Sequence, residues 1–136
     1  MKIVSMPFSF RGEGYLGKIY RPYLKILTKS PYIDRWIPIE TIVDTGADYT
    51  LLPKRYASLL RLDIKRDCRF AATFGVGGEE GVYLCKNVVR IKINDWDQPI
   101  PVGFLQRDNI PALLGRLDCL EKLGLVMKDF TTILEG

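Results

Sequence analysis

The chain of 136 residues is predicted to be mostly β, with one short helix near its C-terminus. Most of the sequence consists of short segments rich in Ile, Val, Leu and Tyr, separated by Gly, Pro, Asn and Asp, which is typical of strands joined by turns. Two of these segments flank the glycine-rich stretch 75–78, which indicates a hairpin. Leu117, Leu120 and Leu123 recur at helical spacing before Gly124, and this pattern predicts the C-terminal helix.

The predicted elements follow one another closely along the chain. The predicted strands are Lys2–Phe10, Lys18–Thr28, Trp36–Val43, Arg69–Phe74, Gly81–Ile93, Gln98–Leu105, Ala112–Leu114 and Leu125–Leu134. Pro53 allows a short helical turn over Lys54–Leu60, because proline fits the first position of a helix. The C-terminal helix covers Arg116–Leu123. Since no repeat or linker interrupts this order, we expect residues 1–136 to form a single domain, with 1–20 as an N-terminal extension or an additional strand.

The sequence contains no histidine, which limits the chemistry open to an enzyme. Ser-His-Asp and Cys-His nucleophilic sites are excluded, and so are metal sites built on imidazole. A hydrolase with this composition must use carboxylates, lysine or a metal held by oxygen ligands.

The cysteine spacing argues against a metal site, and the charge argues against a nucleic-acid partner. Cys68, Cys85 and Cys119 are odd in number and widely spaced, so we expect no zinc site and three free thiols in a reducing compartment. The net charge of +4 is modest and the basic residues are dispersed, which argues against a nucleic-acid partner.

The apolar segments are too short to predict a membrane partner. A bilayer-spanning helix needs about 20 apolar residues, and no run approaches that length. Met1–Pro7 lacks the sustained apolar core and the small-residue cleavage site of a signal peptide. We therefore expect a cytoplasmic protein.

The glycine pattern Gly12-Glu13-Gly14-Tyr15-Leu16-Gly17 matches the fingerprint of dinucleotide-binding folds. That motif functions only when a helix follows it, because the helix N-terminus faces the pyrophosphate. Here β-type residues and Pro22 follow, so a hairpin connection is favoured.

The run Asp44-Thr45-Gly46-Ala47-Asp48 is the best candidate for a reactive site. It directly follows the predicted strand Trp36–Val43, so Asp44 is held on a rigid element and still projects from it. Asp-Thr-Gly is also a common turn sequence, and Asp44 could simply cap a turn. The chain has no second Asp-Thr-Gly or Asp-Ser-Gly, so a partner carboxylate would have to come from another copy of the chain.

The surroundings of this run resemble the retroviral-type (retropepsin-like) aspartic proteases, from about Arg21 to the end of the chain. The segments that carry the resemblance are Ile42-Val43, Thr50-Leu51-Leu52, the glycine-tipped hairpin Phe74–Gly81, and Leu113-Leu114-Gly115-Arg116. The resemblance implies a small closed β-barrel of the acid protease type. It also implies a homodimeric aspartic endopeptidase that acts on peptides or proteins and needs no cofactor or metal.

The resemblance assigns roles to particular residues. Asp44 corresponds to the catalytic aspartate. Thr45 and Gly46 correspond to the active-site loop that locks the dimer, and Gly46 also lets the substrate backbone approach. Asp48 corresponds to a residue that holds the substrate backbone and pairs with Arg116.

Further residues would complete the site. Gly115 and Arg116 would brace the catalytic loop. Val76, Gly77 and Gly78 would form the substrate-binding tip of the flap. Residues 1–20 and Val126–Leu134 are longer than in minimal members of the family, so the arrangement of the dimer interface stays open. A catalytically silent dimerising or peptide-binding module of the same fold is the first alternative, and a basic nucleic-acid-binding protein is the second.

Overall fold

A closed β-barrel forms the centre of the computed structural model, which describes residues 1–75 and 78–136. The strands are β1 (Lys2–Pro7), β2 (Ser9–Gly14), β3 (Gly17–Arg21), β4 (Tyr23–Lys29), β5 (Ile37–Val43), β6 (Thr50–Pro53), β7 (Arg69–Gly75), β8 (Gly78–Ile93), β9 (Trp96–Leu105), β10 (Ala112–Leu114), β11 (Gly124–Lys128) and β12 (Thr131–Glu135). The helices in the described residues are α1 (Arg55–Leu59), α2 (Ile64–Asp67) and a 3-10 helix (Leu120–Lys122). The predicted mostly β class is therefore confirmed.

The barrel closes because β4, at one edge of the main sheet, also pairs with β8 near the other edge. The strand order is β4-β5-β10-β6-β9-β8-β7, and β4 also pairs with β8. Six strands thus form a ring in the described residues, and β7, the first strand of the β7–β8 hairpin, lies outside it. Closure leaves no free edge within the ring and confirms the predicted closed barrel. The parallel pairing of β10 with β5 places Leu114 opposite Val43, one residue before Asp44.

The barrel interior is filled by alternate residues of its strands. Along β5, residues 37, 39, 41 and 43 are buried, whereas residues 38 and 40 face solvent. Burying each side chain of this kind contributes about 1.5–3 kcal/mol relative to exposure. The largest fully buried side chains are Phe104, Leu24, Ile26, Ile39, Leu52, Leu60, Ile91, Ile93, Ile100, Leu114 and Leu134. This core fixes the strand that ends at the Asp44 turn.

The first 21 residues form three strands, β1, β2 and β3, and not a single additional strand. The predicted strand Lys2–Phe10 is divided between β1, which pairs with β12 in a separate sheet of order β1-β12-β11, and β2. The predicted strand Lys18–Thr28 is likewise divided at Pro22, which lacks the N–H needed for a ladder. Among the described residues, strands β2 and β3 pair only with each other, as a hairpin outside both sheets.

The predicted C-terminal helix is shorter than expected and is not an α-helix. Arg116–Leu123 contains a turn followed by the 3-10 helix Leu120–Lys122. The cause is local, since Asp118 has φ 54°, a left-handed conformation that an α-helix cannot contain. Gly124 begins β11 and does not cap a helix.

Helix α2 is absent from the sequence prediction, although its start carries a capping signal. Asp63 accepts hydrogen bonds from the N–H groups of Lys65 at 2.9 Å and Arg66 at 3.1 Å. This is the usual role of an N-cap aspartate. No helix in the described residues is long and apolar enough to cross a membrane.

The expectation of three free thiols is wrong. Cys68 and Cys85 are joined in a disulfide, with their Cα atoms 4.5 Å apart, and Cys119 is free and buried. The two partners are 17 residues apart in sequence, but they adjoin the register pair Arg69–Leu84 at the base of the β7–β8 hairpin. Sequence spacing alone does not reveal this pairing, because it depends on the register of the hairpin.

Candidate active site

Asp44 lies directly after β5, where its backbone and side chain are both held in place. Its N–H donates to the carbonyl oxygen of Leu114 at 3.0 Å, which continues the pairing of β5 with β10. Its carboxylate oxygen Oδ1 accepts a hydrogen bond from the N–H of Gly46 at 2.8 Å. This is an Asx turn, and it fixes the orientation of a half-buried carboxylate.

Thr45 and Gly46 form the exposed tip of the same turn. The turn is closed by a hydrogen bond from the N–H of Ala47 to the carbonyl oxygen of Asp44 at 3.2 Å. A Cβ at position 46 would lie 3.2 Å from Asp44 Oδ1, which is a tight contact. Glycine therefore allows the N–H of residue 46 to approach the carboxylate. The tip is accessible to a peptide or to another protein chain.

Asp48 and Arg116 come together beside this turn. Arg116 Nη2 contacts Asp48 Oδ1 at 2.5 Å, and Arg116 Nε donates to the carbonyl oxygen of Ala47 at 3.4 Å. The backbones are also joined, because the N–H of Arg116 donates to Ala47 O at 3.1 Å and that of Leu117 to Asp48 O at 2.8 Å. The side chains of Arg116 and Asp48 are 45% and 74% exposed, so solvent weakens the ion pair and the backbone bonds carry much of this contact.

Gly115 lies where the segment after β10 crosses the chain between the turn and β6. A Cβ at this position would lie 2.3 Å from both the carbonyl carbon and the oxygen of Tyr49. The N–H of Gly115 donates to the buried hydroxyl of Thr50 at 3.1 Å. Only glycine permits this approach of two backbones.

Thr50 belongs to a segment that carries the family resemblance, but the sequence analysis predicts no role for its side chain. Its hydroxyl is buried and bonds to Gly115. The sequence does contain a signal for this role, since Thr50 is a hydroxyl residue at the start of the otherwise apolar segment Thr50–Pro53. A hydroxyl that is buried with such a segment requires a hydrogen-bond partner.

The predicted flap tip is only partly described. Val76 and Gly77 lie outside the described residues. Gly78 begins β8 with φ 105°, a conformation that favours glycine, and pairs with Gly75 across the hairpin. Farther along β8, Glu80 forms an ion pair with Arg107 at 3.0 Å, which ties the hairpin to the chain after β9.

The comparisons with known proteins identify the fold. Neither a protein-family model nor a curated protein sequence matches the chain. Among solved structures, the chain is similar to a retropepsin-like aspartic protease from Rickettsia conorii, with a TM-score of 0.63 and 18% sequence identity. The match covers 96% of this chain and 97% of that one. The chain therefore has a retropepsin-like fold.

Proposed function

We propose that this chain is an aspartic endopeptidase whose active unit is a homodimer with one Asp44 from each subunit. The observation that carries the proposal is the position of Asp44. In a retropepsin-like fold, it follows β5 with its carboxylate oriented by the N–H of Gly46 and its backbone bonded to Leu114. The chain offers no second Asp-Thr-Gly, so the pair requires two chains.

The proposed mechanism uses two carboxylates that share one proton. Two such groups in close contact cannot both ionise without a large electrostatic cost. The ionised Asp44 accepts a proton from water, and the oxygen of that water attacks the carbon of the scissile carbonyl. The protonated Asp44 donates to the carbonyl oxygen, and a proton then passes to the leaving nitrogen as the C–N bond breaks. These steps need no histidine.

The substrate is proposed to bind as an extended peptide between the catalytic turn and the β7–β8 hairpin. Exposed backbone at Gly46 provides a surface for peptide main chain. Asp48 keeps its side chain 74% exposed while it contacts Arg116, so it remains accessible to a peptide N–H. Val76, Gly77 and Gly78 would close over the peptide, and Thr45 would contact its counterpart in the partner subunit.

The substitution Asp44→Asn tests the proposal. Asparagine retains an oxygen that can accept from the Gly46 N–H, so the fold and the dimer should persist. Removal of the acid–base group should lower the rate of peptide cleavage by about 10³-fold or more, measured with a peptide library and a fluorogenic peptide. Asp34→Asn, in an exposed connection, is the matched control and should keep wild-type activity.

Full cleavage by a folded, dimeric Asp44→Asn variant would overturn the proposal. A wild-type dimer that binds peptides and cleaves none of them would also overturn it. That second outcome would favour the catalytically silent peptide-binding module.

A further inference from the structure

The β7–β8 hairpin extends beyond the strand that supports it. Strand β9 ends at Leu105, which pairs with Val82, so the pairing of β8 with β9 stops at this point. Strands β7 and β8 continue to pair with each other through residues 72–75 and 78–81, which we call the overhang. A two-stranded ribbon is only marginally stable by itself, so contacts with the rest of the chain decide where the overhang lies.

Arg107, in the segment after β9, contacts the overhang through Glu80. Its Nε lies 3.0 Å from Glu80 Oε1, and its Nη2 lies 3.5 Å from Oε2, so the guanidinium faces both carboxylate oxygens. This two-point geometry fixes the direction of the contact as well as its length. The Glu80 side chain is 35% exposed, so solvent screens this pair less than a pair in which both side chains are fully exposed.

The neighbouring residue adds a second contact with β8. Gln106 Nε2 donates a hydrogen bond to Tyr83 Oη at 3.2 Å. The ring of Tyr83 in turn contacts the ring of Phe70 edge-on, with the centroids 5.5 Å apart. Phe70 also covers Gly81, where a Cβ would lie 2.7 Å from the ring. The base of the overhang is thus packed, so a contact farther along β8 can set the position of the whole overhang.

The segment that carries Arg107 also leads to the strand that holds Asp44. Residues 106–111 run from β9 into β10, and Leu114 of β10 accepts a hydrogen bond from the N–H of Asp44. The ion pair therefore links the overhang to the support of the Asp44 turn. In the proposed function, a peptide lies between this hairpin and that turn, so the position of the overhang decides how closely the site fits the peptide main chain.

We propose that Arg107 is a positioning residue for peptide binding, which holds the overhang in place through Glu80. Because the ion pair exists before the peptide binds, less conformational entropy is lost when the hairpin is ordered over the peptide. The pair acts on binding and has no part in the chemical step. The inference rests on the proposed function, and it adds two residues that set the affinity of the same site for its peptide.

The substitutions Glu80→Gln and Arg107→Gln test this role, because each removes one charge from a partly exposed side chain. Each variant should raise the KM for a fluorogenic peptide by about 5-fold and change kcat by less than about 2-fold. The double variant should raise KM no further than either single variant, since one substitution already removes the interaction.

Asp97→Asn is the matched control, because it removes another partly exposed ion pair that involves β8. Arg90 Nε lies 2.9 Å from Asp97 Oδ1, and this pair joins β8 to β9 within the barrel. Since the pair lies outside the overhang, both KM and kcat of this variant should equal those of wild type.

Hydrogen exchange, followed by mass spectrometry, gives a readout that does not depend on cleavage. The amides of residues 78–84 should exchange about 5-fold faster in Glu80→Gln and in Arg107→Gln than in wild type, because the overhang is held less firmly. The same amides should exchange at the wild-type rate in Asp97→Asn.

The possible outcomes separate this role from the catalytic proposal. An unchanged or lowered KM in the two single variants, or effects on KM that add in the double variant, would overturn the role of Arg107. A fall in kcat at constant KM would also overturn it, since the pair would then act on the chemical step. If the wild type cleaves no peptide while exchange rises as expected in both single variants, the proposed protease function fails and the hold of Arg107 on the overhang stands.

Discussion

At the scale of single residues, Gly115 sets how closely two segments approach beside Asp44. In a Gly115→Ala variant, the added Cβ would lie 2.3 Å from two backbone atoms of Tyr49, and this backbone cannot move aside without displacing the Asp44 turn. We expect the free energy of unfolding, measured in urea, to fall by about 2–3 kcal/mol or more. Peptide cleavage should fall as well.

Gly124→Ala provides the control for this substitution. A Cβ at position 124 would have Glu135 Cβ at 3.6 Å as its nearest neighbour, which is an ordinary contact. We expect the stability of this variant to stay within about 1 kcal/mol of wild type. Equal stability of the two variants would contradict the close approach at Gly115.

The cysteines should differ sharply in reactivity. Burial raises the pKa of the Cys119 thiol to about 12, so almost no reactive thiolate exists near neutral pH. We expect a disulfide-exchange reagent to label no thiol in the native, unreduced protein. Unfolding without reductant should release Cys119 alone, and unfolding with reductant should release Cys68 and Cys85 as well. Three reactive thiols without reductant would show that the disulfide is absent.

At the scale of elements, Asp67 joins α2 to the connection before β5. Its carboxylate accepts from Tyr32 Oη at 2.9 Å, from the N–H of Asp63 at 2.7 Å and from Arg66 Nη2 at 2.9 Å. The hydrogen bond from Arg66 is the largest cause that lowers the pKa of Asp67 from 3.8 to about 2. The folded protein thus holds this group ionised at a pH where the unfolded chain has begun to protonate it.

The lowered pKa of Asp67 predicts that this residue contributes to the loss of folding stability in acid. The stabilisation from Asp67 is fully present above its unfolded pKa of 3.8 and is lost as the pH falls through about 2. An Asp67→Asn variant should therefore lose less stability than wild type between these two pH values, in unfolding curves measured across that range. Asp34→Asn, with its side chain in solvent, should follow the wild-type curve. Parallel curves for Asp67→Asn and wild type would contradict this contribution.

The sequence predicts the barrel strands better than it predicts the connections and the helices. Alternation of apolar and polar residues identifies β5, and the glycine-rich stretch identifies the β7–β8 hairpin. The predicted C-terminal helix is a turn followed by a 3-10 helix, because leucine spacing does not reveal the left-handed backbone of Asp118. The Cys68–Cys85 bridge is missed because it depends on strand register.

The candidate site is only partly predictable for a similar reason. The bond from Gly46 to Asp44 is local, and Asp followed by Thr-Gly favours such a turn. The contact of Asp48 with Arg116 joins residues 68 positions apart, so only the family resemblance leads to it. Nothing in the sequence reveals that Pro22 bonds to Val43, because that contact depends on how the β2–β3 hairpin returns to the barrel.

At the scale of the whole molecule, the proposed sharing of one active site between two chains predicts a measurable effect in mixtures. If wild type and Asp44→Asn exchange subunits freely at equal amounts, about one quarter of the dimers contain two intact chains. We therefore expect activity to fall to about a quarter of that of an all-wild-type sample at the same total concentration. Mixing with Asp34→Asn should leave activity unchanged. A fall to one half would show that each chain acts alone.

The parallel pairing of β5 with β10 also sets an order of events during synthesis. The backbone of Asp44 is bonded to Leu114, and the residues after Asp44 are bonded to Gly115, Arg116 and Leu117. A ribosome that has completed only β1 to β9 has therefore made every residue of the Asp44 turn without the strand that holds it. The nascent chain therefore carries Asp44 through about half of translation without the strand that holds it in the folded protein. The turn can form its bonds to Leu114, Arg116 and Leu117 only after β10 and the residues that follow it emerge.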